Sequence, residues 1–232
     1  PYISKITGVP MVPLAVRAML GEKLKDMGYG TGLYPEGEYI AVKAPVFSSA
    51  KLRGAEIALG PEMKSTGEIM GIDREFGKAL YKAMVAAGIG VPREGAIMAT
   101  IADNDKEEAL PLVREFYEKG FSIYATEGTA KFLAGYGIKA TRVKKIVEGS
   151  PNALDLIKEG KVRLVLNTMS KDGKVERDGA KIRRAAVEHE VPCLTSLDTA
   201  RALLLAMGSG SDDGDFSCLP IHLYQPKTRN NR

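Results

Sequence analysis

Residues 96–136 read AIMATIADNDKEEALPLVREFYEKGFSIYATEGTAKFLAGY, and this stretch decides the fold. A short apolar run at 96–102 predicts a strand, and 106–119 follows with helical spacing. The pair then repeats, with a strand over 122–126 and a helix over 129–136. Downstream the alternation continues three more times: strand 140–143 and helix 152–159, strand 163–167 and helix 179–189, strand 192–195 and helix 197–207. Five strand–helix pairs predict an α/β fold, a five-stranded parallel sheet flanked by helices. In such sheets ligands lie beyond the carboxyl ends of the strands, so the residues just after each strand carry the functional question.

Upstream the pattern is less regular. Residues 13–28 have helical spacing ending at Gly28, 39–47 alternate like a strand, and 60–68 form a polar, turn-rich stretch that leads into a helix over 74–87. Gly88, Gly90 and Pro92 close that helix and mark a boundary. The expected organisation is an N-terminal region at 1–89, the α/β domain at 90–212, and a flexible tail at 213–232. The Gly, Ser, Asp and Asn content after Gly208 is the reason for expecting partial order at most in the tail.

Composition narrows the function classes. The chain has 232 residues, 44% hydrophobic and 27% charged, enough for one large or two small cores. No run approaches the ~18 apolar residues of a membrane span, and no charged-then-apolar leader opens the chain. A cytoplasmic protein with no membrane association is expected. Cys193 and Cys218 lack CxxC or histidine spacing, so neither a disulfide framework nor a metal site is expected. A net charge of +4 with 6% aromatics lacks the basic stripe and stacking platforms of a nucleic-acid binder, which leaves a small anion as the expected basic-patch ligand. The opening at Pro1, without a methionine, reads as the middle of a longer chain.

The strand ends supply Thr100 to Lys106, Thr126-Glu127-Gly128-Thr129, Lys144-Lys145 and Asn167-Thr168. Thr126, Gly128 and Thr129 sit at a predicted helix N-terminus, where unpaired N–H groups and the helix dipole favour a phosphate. A plain threonine cap is the alternative. Lys106 at a helix start opposes the dipole unless an anion is present, and Lys145 closes the basic run Lys139, Arg142, Lys144, Lys145, itself readable as a solvated face. Asn167 offers donor and acceptor together for a base or ribose edge, or serves as a turn former. The histidines, His189 and His222, fall at no strand end, and no nucleophile elbow, Walker loop or GxGxxG occurs, so no catalytic residue is assigned.

These residues carry a resemblance. Residues 94–207, with Lys106, Thr126-Glu127-Gly128-Thr129 and Asn167-Thr168, resemble the methylglyoxal synthase-like domain. Pro1-Tyr2-Ile3-Ser4-Lys5-Ile6-Thr7-Gly8-Val9-Pro10 and Leu59-Gly60-Pro61-Glu62-Met63-Lys64-Ser65-Thr66-Gly67-Glu68 resemble the end of the second ATP-grasp half of the carbamoyl phosphate synthetase large-subunit family. The resemblance implies an incomplete α+β ATP-grasp end before the regulatory domain. It also implies a parent ligase using ATP with magnesium or manganese, bicarbonate, and ammonia from a small glutamine-hydrolysing subunit, in pyrimidine and arginine biosynthesis. The family's metal ligands precede Pro1, so this portion is expected not to catalyse alone. The effector implied is UMP or IMP, at Thr100, Lys106, Thr126, Gly128, Thr129, Lys145, Asn167 and Thr168, with Met169 replacing a family hydroxyl.

A second effector, ornithine, is not expected, because the family's glutamate falls at Ala44 and its tyrosine at Cys193, although Thr195 is retained. Methylglyoxal synthase activity is disfavoured, since the matching aspartate position is Ser150 and the strand-end histidine position is Ala102. The other alternative is an assembly module, a homo-oligomer contact with a vestigial pocket.

Overall fold

The computed structural model describes residues 1–33, 36–47, 61–169, 173–209 and 217–224. Two short helices, α1 (Tyr2–Thr7) and α2 (Met11–Met19), open the chain. The helix expected over 13–28 therefore stops early: after Met19 the chain continues in turns and reverses at Gly21 and Gly28, which adopt φ of 97° and 87°. An antiparallel hairpin follows, β1 (Ile40–Val46) with β2 (Gly67–Asp73), and then α3 (Phe76–Ala86). Of the polar turn stretch, Leu59 and Gly60 lie outside the described residues, while Thr66 anchors the start of β2 by donating its N–H to the Val46 carbonyl at 2.8 Å.

The α/β part runs β3 (Ala96–Thr100), α4 (Lys106–Glu118), β4 (Ser122–Thr126), α5 (Glu127–Gly135), β5 (Ala140–Val143), α6 (Ala153–Lys158), β6 (Leu164–Asn167), α7 (Gly173–Glu188), β7 (Cys193–Leu194) and α8 (Leu197–Ser209). All five strands are parallel, in the order β5-β4-β3-β6-β7. Each expected pair is present.

Alternation along the strands splits the core into two layers. Ile97 and Ala99 of β3, with Leu164 and Leu166 of β6, face a cluster built from Leu112, Val113 and Phe116 of α4 and Leu203 and Leu204 of α8. Ala96, Met98 and Val165 face the other way, onto Leu156 and Ile157 of α6 and Ile182 and Ala186 of α7. Strands buried on both faces explain why they read as continuous apolar runs rather than alternating ones.

Helix α3, upstream of the expected boundary at 89, shares this core: Met84 joins the first cluster, with Leu80 and Tyr81 packed against it. The tail also contributes. Residues 221–223 form a short 3₁₀ turn and Tyr224 is 7% exposed. Residues 213–216 and 225–232 lie outside the described residues.

Candidate functional site

The chain lays down β3, β4 and β5 toward one edge, then returns to place β6 on the other side of β3. The chain order thus reverses beside β3, and beyond the ends of β3 and β6 is the position where doubly wound sheets bind ligands. Thr100 and Asn167 end these two strands and are direct register partners.

Asn167 is 4% exposed, and its amide nitrogen and oxygen each have a partner. Its Nδ2 donates to Thr100 Oγ1, and its Oδ1 accepts from Arg183 Nη1 at 2.9 Å. Arg183 lies on α7 and not at a strand end, so the strand-end pattern of the sequence does not point to it. A helix residue becomes visible only when the inward face of α7 is known. Gly179, one turn earlier, leaves the room: a Cβ there would stand 3.0 Å from Arg183 Nη1 and 3.3 Å from Asn167 Oδ1. Thr168 is also buried, with its hydroxyl accepting from the Ala102 N–H at 2.8 Å, and so fastens the loop after β3.

The second group lies one strand over. Thr126 is the N-cap of α5 but makes no side-chain cap hydrogen bond, so the plain capping reading does not hold and the first-turn N–H groups are left without that acceptor. Lys106 Nζ donates to the Gly128 carbonyl at 3.2 Å, pairs with Asp103 Oδ1, and lies 5.9 Å from the centre of the Phe132 ring. The lysine that opposes the α4 dipole thus has a carboxylate from its own preceding turn. Thr129 differs from Thr126: it is 1% exposed and its hydroxyl accepts from the Ile101 N–H at 3.3 Å, tying α5 to the β3 loop.

Lys145 follows β5 at the sheet edge, exposed, with its N–H bound by Glu148 Oε2 at 3.0 Å. Adjacent strands lie ~4.8 Å apart, so the ends of β5 and β6, three spacings from each other, span roughly 14 Å. The structure therefore joins Thr100 to Asn167 and Lys106 to Gly128, and sets Thr126 and Lys145 along the same rim. Arg142 on β5 pairs with Glu127 at 3.1 Å.

Other expected positions fall elsewhere. His189 lines an open cavity of about 360 Å³ with Gly90, Lys158 and Arg163, residues that precede the strands and so mark the opposite edge of the sheet. His222 is exposed. Ala44 is buried in β1 opposite Ile69. Cys193 pairs with Val165, and burial pushes its thiol up to about 11 despite the nearby Arg183 charge. Among the described residues no group of three or more His, Cys, Asp or Glu could hold a metal ion, and no helix is long and apolar enough to cross a membrane.

The MGS-like domain model matches residues 108–195. The carbamoyl phosphate synthase large chain of Agathobacter rectalis is 52% identical over 213 residues, 91% of this chain and 20% of that protein, so the chain spans about one fifth of the length of the relative it matches. Methylglyoxal synthase from Elizabethkingia anophelis NUHP1 aligns with a TM-score of 0.41 at 18% identity, covering 49% of this chain and 78% of that one. Over nearly all its length this chain is a relative of the carbamoyl phosphate synthase large chain, matching its C-terminal portion, and its parallel sheet is an MGS-like domain.

Proposed function

We propose that this chain is the regulatory end of a carbamoyl phosphate synthase large chain and that its strand-end rim binds a nucleotide effector, UMP in the first instance and IMP as the other family choice. The observation that carries the reading is the uncapped first turn of α5 beside the Lys106 ammonium. Free N–H groups and a lysine at one helix start favour a phosphate through directed donors and charge together. The ribose and base would then extend toward Thr100, Asn167 and Arg183, where amide and guanidinium groups meet. Lys145 closes the rim on the other side.

Synthesis of carbamoyl phosphate from bicarbonate and glutamine-derived ammonia, with ATP, magnesium or manganese and a glutamine-hydrolysing partner subunit, is part of the same proposal and is placed on the parent ligase in the cytoplasm. The nucleotide would alter that activity only to the extent that it binds two arrangements of the parent unequally.

Titrating the 232-residue chain with UMP tests the site. The whole chain is the right sample because α3, outside 90–212, belongs to the core. Binding at millimolar UMP or below is expected, weakened about tenfold or more by Lys106→Ala and by Lys145→Ala, the size of a lost charge-assisted contact. No binding at millimolar UMP, or no loss in either variant, overturns the reading. A second reading, an assembly module forming homo-oligomers, is favoured by the exposed Val12, Val16, Met19 and Leu20 around α2. A change of oligomer size with nucleotide, at unchanged parent kinetics, would select it.

A further inference from the structure

The anion cradle already holds a negative charge of its own. Lys106 Nζ lies 2.5 Å from Asp103 Oδ1, across a single 3₁₀ turn formed by Asp103–Asp105. The two side chains are unequally placed: that of Lys106 is 15% exposed, that of Asp103 91%. A solvated carboxylate thus reaches in to a largely covered ammonium, whose other neighbours are the Gly128 carbonyl and the Phe132 ring. All three neighbours favour the positive charge. Of them the carboxylate alone is both anionic and free to swing back into water.

A carboxylate and a phosphate oxygen make the same demand on a lysine, a short charge-assisted hydrogen bond. Of the three ammonium N–H groups one points to the Gly128 carbonyl and one to Asp103, and a phosphate oxygen arriving from the Asp103 side meets the donor that the carboxylate holds. We propose that Asp103 is an internal counter-ion that competes with the nucleotide phosphate for Lys106 and so sets the affinity of the site. This rests on the nucleotide reading given above. Displacing Asp103 is cheap, because an exposed carboxylate regains its hydration and a surface pair of this kind is weak. Its presence still has a cost for the ligand. The incoming phosphate meets a lysine whose charge is already offset, and a negative group remains at the mouth.

UMP binding to the full chain is measured by calorimetry for the unsubstituted chain, Asp103→Asn, Lys106→Ala and the double variant, with circular dichroism confirming the fold of each. Asp103→Asn is expected to bind UMP about 1.5- to fivefold more tightly, the range of one released surface charge pair. In the Lys106→Ala background the same change is expected to do nothing, because the competition has lost its object. This disappearance separates a counter-ion acting through Lys106 from a general change in surface charge. Unchanged or weaker binding by Asp103→Asn, or an equal gain without Lys106, overturns the inference while leaving the site reading intact. Absence of UMP binding in every folded variant removes the site reading and this inference together.

Discussion

Two threonines three residues apart in one sequence motif are placed differently. Thr126 ends β4 and keeps its hydroxyl out of the cap of α5, at the rim where a ligand would meet it. Thr129 is one turn inside the helix, buried, and bonded to the Ile101 N–H. Replacing Thr129 by valine preserves shape but leaves that N–H without an acceptor, which is expected to lower stability by about 1–3 kcal/mol with little change in UMP affinity. Thr126→Val is expected to do the reverse, weakening UMP binding at nearly unchanged stability. Chemical denaturation and calorimetry on the two variants check this, and matching behaviour of the pair would refute it. In the sequence both residues read as cradle members, because residue type and spacing are the same for a ligand contact and a buried tie. What separates them is burial, set by the loop after β3, which is distant in sequence. The same limit applies to Arg183, which reaches Asn167 from a helix face, and to Asp103, which lies within Thr100 to Lys106 but whose pairing with Lys106 depends on the fold.

At the scale of elements, the alternating strand–helix pairs were legible because the central strands β3 and β6 are short apolar runs buried on both sides and amphipathic helical spacing follows each strand, although the edge strand β5 is largely exposed. The sheet order, and hence the pairing of Thr100 with Asn167, follows from the chain turning back once. The place of α3 was not legible, since one of its partners, α8, lies more than a hundred residues further along the chain. A Cβ on Gly71 of β2 would lie 2.0 Å from the Ala79 carbonyl oxygen and 2.5 Å from the Ala83 nitrogen, so the strand backbone rests directly on α3. A Cβ on Gly77 would lie 2.0 Å from Ser209 Oγ and 3.2 Å from the Leu205 carbonyl, so α3 in turn rests on α8. Hairpin, α3 and α8 are stacked through two glycines. Gly71→Ala meets backbone on its neighbour and is expected to lower stability by about 2–3 kcal/mol, with the loss read in thermal unfolding. Gly77→Ala meets the Ser209 Cβ at 2.8 Å as well as its hydroxyl, and a Cβ does not turn away, so a loss of similar size is expected at that contact. A loss near zero at either glycine would argue against this close stacking.

For the molecule as a whole, the last described segment closes back over the first hairpin. The Tyr224 ring meets Tyr39 edge-on at 5.0 Å, Arg74 lies over the Tyr39 ring at 5.2 Å, and Lys82 lies 6.0 Å from the Tyr224 ring centre. Beneath this stack Lys82 is buried and donates to Asp73 Oδ2 at 2.7 Å and to the Ile72 carbonyl at 3.1 Å. Burial works to raise the Asp73 carboxyl, but the Lys82 ammonium and the N–H groups of Glu75 and Arg74 outweigh it and hold the pKa below its ordinary value of 3.8. A depressed carboxylate stabilises the folded chain above its ordinary pKa, and that contribution is lost as pH falls through the folded value. Below it Asp73 is protonated, and a buried ammonium has lost its carboxylate under Tyr224. The full chain is therefore expected to be more stable than Asp73→Asn at neutral pH, with the gap closing as pH drops below 3.8. Thermal unfolding of both across acid pH measures the gap, and a difference that stays constant into strong acid would show that the Asp73 charge does not hold this corner together. If the charge does hold it, proteolysis within 217–224 should quicken over the same acid interval in the unsubstituted chain, and be already fast at neutral pH in Asp73→Asn.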